Sequence, residues 1–200
     1  MPVHANKNLD FSEIESKASK VTLLECSQYK DICYLEEAFI SEKRWELKHE
    51  LAYLTSVFRG LHLTPFIIVD VEECLKNAKR ENRRVDIEYY ESILAMGYKF
   101  ITCDSVNRQS SLWEAIVENK FPLPQGTFQI DGETYKFTGK TFWKDLSATH
   151  QGHISMVRKV LVQTIISATR QDLADIFDAV NKGVQQNAQE IRQSWLSDLG

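Results

Sequence analysis

Residues 64–104, TPFIIVDVEECLKNAKRENRRVDIEYYESILAMGYKFITCD, decide what kind of fold this chain adopts. Residues 64–69 are too few for a core helix and rich in Ile, Phe and Val, which fits a buried strand. Asp70 then stands where an N-cap belongs and opens a helix over VEECLKNAKR. Asp86 is the expected cap of a second helix that runs to Met96 and stops at Gly97. A second strand follows at residues 98–103. Two strands joined by a helical pair imply a sheet covered by helices.

The flanks extend this pattern. Upstream, residues 21–26 (VTLLEC) read as a short strand, and residues 31–58 carry apolar residues at helical spacing. Leu47, Leu51, Leu54 and Phe58 share a helix face there, and Gly60 supplies the stop. Downstream, residues 128–130 and 134–137 flank Asp131-Gly132, a hairpin signal because a tight primed turn demands positive φ. Residues 160–166 read as a further strand, and residues 171–181 and 189–199 as helices parted by Gly183. Strands alternating with helices early and a hairpin later predict a mixed α+β fold and not a doubly wound parallel sheet. Residues 1–20 are polar without a sustained period and are expected to form a loosely ordered arm. Residues 21–200 are then expected to be one domain.

Composition bounds the function. The 200 residues hold 24 Lys and Arg against 28 Asp and Glu, a net charge of −4, which argues against coating nucleic acid by bulk charge and leaves a local basic face open. A chain of this length buries roughly 70% of its unfolded surface and needs neither disulfides nor metal for a core. No apolar run approaches a membrane span of about 18 residues and the start lacks a signal-peptide core, so a soluble, cytoplasmic protein is expected. Cys26, Cys33, Cys74 and Cys103 form no C-x-x-C pair and have no His at zinc spacing, and read as small buried hydrophobes. His150 and His153 lack a matching carboxylate or Cys and read as structural. Trp45, Trp113, Trp143 and Trp195 read as core. No Walker A or G-x-G-x-x-G pattern occurs, so a nucleotide site must use another architecture.

The segment with most chemistry is TCDSVNRQSS, residues 102–111. A strand end running into a helix start exposes backbone N–H groups and the positive end of the helix dipole, a natural anion seat. Arg108 can fork onto a phosphate, Asn107 can contact a sugar or base, and Asp104 can hold a divalent ion. The plainer reading is that Asp104 or Ser105 caps the helix and Arg108 pairs with a surface carboxylate. Lys79, Arg80, Arg83 and Arg84 are the candidate nucleic-acid contacts, with a solvated loop as the plainer alternative.

In order along the chain, several phrases resemble one family. Asp104-Ser105-Val106-Asn107-Arg108 is similar to the D-G-Q-Q-R signature of the domain-of-unknown-function family typified by the S half of GmrSD, a modification-dependent restriction endonuclease, and closer still to the D-G-x-N-R of its phage-encoded members. Arg44-Trp45, Arg59-Gly60 and Thr64-Pro65-Phe66-Ile67-Ile68 resemble the family's Trp-anchored helix running into a strand after Pro. Trp113 through Phe121-Pro122-Leu123 and Phe142-Trp143-Lys144-Asp145-Leu146 match later phrases. Ile176-Phe177, Asn181, Gly183, Gln189-Glu190 and Arg192 match the tail. The resemblance spans about residues 40–198.

It implies a ParB/sulfiredoxin-like fold and a nucleotide-dependent DNA-transaction role of phage or restriction type, with DNA as partner and a separate or C-terminal HNH module as the nuclease. It implies a nucleoside triphosphate and Mg²⁺ as cofactors, Asp104 and Arg108 as catalytic residues with Asp104 on the metal, and Ser105, Asn107, Gln109, Asn181, Glu190 and Arg192 at the nucleotide. Ser105 stands in place of the family's Gly and Val106 in place of its first Gln. A non-catalytic DNA- or protein-binding module and a metal-dependent DNA-nicking domain stay open as alternatives.

Overall fold

The computed structural model describes residues 14–35, 45–61, 64–177 and 179. Their core is a five-stranded mixed sheet in the order β1-β7-β3-β4-β2 (β1 Glu15–Thr22, β2 Cys33–Leu35, β3 Phe66–Asp70, β4 Phe100–Asp104, β7 Lys159–Ser167). β1 runs antiparallel to β7 and β3 antiparallel to β4, whereas β3 is parallel to β7 and β2 parallel to β4. The expected α+β architecture, a mixed sheet with surrounding helices, is the one observed.

Both faces of the sheet are covered, each by its own apolar cluster. On one side α3 (Val71–Arg80) and α4 (Arg84–Ala95) pack Cys74, Ala78, Tyr90 and Ile93 on Val69, Ile101 and Ile165. On the other, α1 (Leu23–Ile32), α2 (Leu47–Phe58) and α5 (Val106–Leu112) join the hairpin of β5 (Gly126–Ile130) and β6 (Glu133–Phe137) and α6 (Ala148–Val157) over Phe66, Ile68, Val160 and Val162. α5 runs directly into a π-helical turn, Trp143–Asp145 forms a 3₁₀ turn before α6, and a helical segment at 170–177 follows β7. Among the described residues, no helix is long and apolar enough to cross a membrane.

Local signals explain much of this. Asp70 caps α3, its Oδ1 accepting from the Glu73 N–H at 3.1 Å. Gly60 and Gly97 take positive φ (74° and 92°) just past α2 and α4, conformations in which a Cβ is strained. Asp131 (φ 48°) and Gly132 (φ 84°) build the two-residue hairpin turn, and β5 pairs with β6 from Ile130↔Glu133 outward.

Four sequence expectations are corrected. Residues 15–20 do not belong to a loose arm: they form most of β1, the edge strand on β7. Its side chains are solvent-exposed up to Lys20, so no apolar alternation marks it; the ladder with β7 holds it. Residues 23–26 are helical and not a strand. Thr22 Oγ1 accepts from the Glu25 N–H (3.1 Å) while Glu25 Oε2 accepts from the Thr22 N–H (2.7 Å), a capping box that starts α1. The helical spacing from Asp31 is broken, because α1 ends at Ile32 and β2 pairs with β4. Finally, Asp86 does not cap α4. It lies in the first turn, 6% exposed, and accepts from Arg83 Nη1 (2.6 Å) and from the Arg170 N–H (3.0 Å).

All four cysteines are free and buried, as read from the sequence. Burial pushes the Cys26 and Cys33 thiols up to about 12 and that of Cys74 up to about 11. At pH 8 at most about one thiol in a thousand is ionised at these sites. Ellman's reagent is therefore expected to leave the native protein unlabelled and to titrate four thiols in denaturant; rapid native labelling contradicts this packing. A folded-state pKa above the unfolded value of about 8.5 means that this contribution to stability is full below that pH and is lost as pH rises toward 11–12.

Candidate functional site

Asp104, Ser105 and Arg108 meet at one corner, where β4 ends and α5 begins. Ser105 connects the two with φ 80° and ψ 19°, the left-handed conformation, and has no side-chain cap bond. Ser105 occupies the N-cap position of α5, its carbonyl accepting from the Gln109 N–H (2.8 Å), so the first half of the plainer reading holds for the backbone but not for a side-chain cap. Its second half is met inside the corner: Arg108 Nη2 donates to Asp104 Oδ2 at 2.9 Å. The guanidinium also donates to Ser105 Oγ and to the Thr64 carbonyl, and it lies 5.9 Å from the Phe66 ring centre. Ser105 Oγ in turn donates to Asp104 Oδ2 (3.1 Å). The Arg108 and Asp104 side chains are only 13% and 18% exposed, so the pair is screened far less than a surface ion pair.

Arg108 thus ties three segments together: β4, α5 and the Thr64-Pro65 approach to β3. Tyr53 of α2 is close enough to feel the charge. Burial pushes its hydroxyl well above the usual tyrosine range, with Arg108 acting in the opposite direction. Asn107 is half-buried in the first turn of α5, its carbonyl accepting from Ser111 Oγ (2.8 Å). Gln109 is fully buried, its Oε1 accepting from Thr102 Oγ1 (3.0 Å). Its Nε2 has no partner among the described residues. Gln109 is therefore enclosed in the protein interior and does not reach the corner's solvent side. Asn181, Glu190 and Arg192 lie outside the described residues.

Left-handed backbone is costly for Ser and free for Gly, so Ser105→Gly is expected to leave the corner's geometry intact and to raise stability by about 0.5–1 kcal/mol. A urea titration checks it. A loss of stability instead would mean that the Ser105 hydroxyl, wedged between Asp104 and Arg108, outweighs the backbone term.

No family model, curated protein or solved structure matches this chain.

The basic cluster of α3 and α4 is neutralised. Lys79 pairs with Glu91 (2.7 Å), Arg80 with Glu81 (3.6 Å), Arg83 with Glu81 (2.9 Å) and Asp86 (2.6 Å), and Arg84 with Glu88 (3.2 Å). The structure brings these cations to one end of the helical pair and supplies each with a carboxylate, so they present little net field to a phosphate backbone. His150 and His153 bracket the Tyr135 ring; the Tyr135 hydroxyl lies 2.6 Å from both His153 Nδ1 and Glu133 Oε2. That contact fastens α6 to the hairpin. Trp113 and Trp143 are buried and Trp45 packs on Tyr53, while Trp195 lies outside the described residues. The residue that sequence reasoning missed at the corner is Thr64, because it acts through its backbone carbonyl, which carries no sequence signal.

For magnesium, the donor set is narrow. Among the described residues no three His, Cys, Asp or Glu side chains form a metal-holding group, and Asp104 supplies the corner's carboxylate. One carboxylate fits a magnesium ion that also rests on nucleotide phosphates, the usual protein arrangement for that ion, and does not fit an all-protein cage.

Proposed function

We propose that this chain is a nucleotide-binding module of a DNA transaction, with a nucleoside triphosphate seated at the corner of Asp104, Ser105, Asn107 and Arg108. The observation that carries the reading is the Arg108 latch. A guanidinium held against one carboxylate, one hydroxyl and one carbonyl is oriented and largely desolvated, and it can exchange those partners for phosphate oxygens without crossing a large distance. Asp104 and Arg108 carry opposite charges, and a magnesium nucleotide presents both signs in return. Bound there, magnesium would neutralise phosphate charge beside Asp104. The resemblance to the D-G-x-N-R signature supports the same assignment, and the left-handed Ser105 stands where that signature has Gly.

Because Arg108 also holds the Thr64 carbonyl, occupancy of the corner would loosen the approach to β3 and thereby signal to a DNA-acting partner. Isothermal titration with magnesium and each nucleoside triphosphate tests the proposal. At least one is expected to bind, and Arg108→Ala to weaken it at least tenfold, about 1.4 kcal/mol. Absence of binding, or an unaffected Arg108→Ala, overturns the proposal.

A module that binds without turnover is the second reading. It is favoured by Ser105, whose hydroxyl accepts from Arg108 where the signature has Gly. Steady phosphate release abolished by Asp104→Ala decides against it.

A further inference from the structure

We infer that the DNA backbone docks at the end of the sheet where β3 and β7 begin, with Lys20, Arg59 and Lys159 as its contacts. The inference rests on the reading of the chain as a DNA-acting module and assigns the surface. Where the cations of α3 and α4 are each matched by a carboxylate, these three are exposed and form no ion pair among the described residues.

They are also neighbours. Lys159 lies opposite Thr22 in the β1–β7 ladder, and Lys20, opposite Leu161, is its diagonal neighbour on the same face of the sheet, about 7–8 Å away. Lys159 and Leu161 line one depression with Leu61 and Thr64, which places the end of α2, with Arg59, beside the start of β7. Arg158 adds to the field from behind. Its Nη1 would stand 2.9 Å from a Cβ on Gly60, and its Nη2 donates to the Gln129 carbonyl at 2.7 Å. Burial lowers its pKa, with Asp131 opposing that shift, and no carboxylate pairs with it directly among the described residues. Glu25 feels Lys159 as well, its carboxyl held low first by its bonds to Thr22 and also by Lys159.

The shape selects the occupant. The depression that Lys159 lines holds about 10 Å³, room for one water, so it admits no nucleotide. Exposed cations on two neighbouring strands and a helix end match a chain of phosphodiesters tracking the surface. Thr64 lines the depression and also accepts from Arg108, so the docking surface and the nucleotide corner share one backbone segment.

The test is fluorescence anisotropy of the full chain with labelled duplex and single-stranded DNA over a salt series, without nucleotide. Arg59→Gln combined with Lys159→Gln is expected to weaken binding at least tenfold and to flatten the slope of log affinity against log salt by about two. Lys79→Gln combined with Arg84→Gln is expected to change neither. Millimolar inorganic phosphate is expected to compete no better than chloride of the same ionic strength; specific displacement by phosphate assigns the surface to a free anion and overturns the inference. So does absence of DNA binding, or equal affinity of the Arg59/Lys159 variant. Titration of the same variant with nucleotide separates the two proposals, because neither residue belongs to the Arg108 corner: lost nucleotide affinity with retained DNA dependence refutes only the corner.

Discussion

Truncating Phe58 to alanine is expected to lower the unfolding free energy by about 3–5 kcal/mol. Phe58 ends α2, is fully buried, and lies 5.6 Å from the Phe128 ring and 5.5 Å from the Phe137 ring, which are themselves 5.3 Å apart. These rings join the β5–β6 hairpin to the helix. A two-stranded hairpin is marginal by itself, so its stability depends on that packing. The substitution removes one corner of a three-ring cluster whose remaining members are held by strand pairing and cannot collapse into the gap. Urea denaturation measures the loss. Amide exchange locates it, with hairpin amides expected to lose protection before those of β3 and β4. A cost under about 1 kcal/mol, or uniform exchange, would show that the hairpin docks by other contacts, such as Tyr135 on His153.

The second large effect belongs to Asp86. Its carboxylate gathers Arg83 Nη1 at 2.6 Å and the Arg170 N–H at 3.0 Å, and so fastens the start of α4 to the chain leaving β7. Removing one member of a buried charged pair strands the other, and hydrogen bonds to charged groups contribute about 1.5–3 kcal/mol each. Arg83 retains Glu81 (2.9 Å) and the Ala168 carbonyl (3.3 Å), which limits the damage. Asp86→Ala is therefore expected to cost about 2–3 kcal/mol, with faster exchange of the Arg170 amide, whereas Asp86→Asn, which keeps an acceptor of the same size, is expected to cost less. Equal costs for Ala and Asn would mean that charge, and not the acceptor, is what matters there.

Elements written by nearby residues were legible in the sequence. The Ile-rich run at 66–69, the Asp70 cap, the Gly60 and Gly97 stops and the Asp-Gly hairpin turn each act over a few residues, and each is found in place. The Thr22-x-x-Glu25 box was equally local, yet the apolar VTLLEC run reads as a strand when the cap is ignored. β1 could not be read, because an edge strand with exposed side chains is specified by its partner strand and not by its own pattern. At the candidate site, the sequence supplied Asp104, Ser105 and Arg108 as a group. It could not supply Thr64, or show that Gln109 is buried.

What the sequence determined by itself, then, is the strands and helical pair of residues 64–104, the hairpin, the mixed α+β class and the corner's side chains, since caps, turns and periodicity are interactions within about four residues. Only the tertiary structure decided which charges remain available. Lys79 is neutralised by Glu91 across two helices, and Arg108 is engaged by a carbonyl from a different strand's approach. Arg59 and Lys159 are both left exposed, and the end of α2 is brought to the start of β7, although a hundred residues of sequence separate them. A charge is matched or left open by what packs against it in space, and that information is carried by the fold.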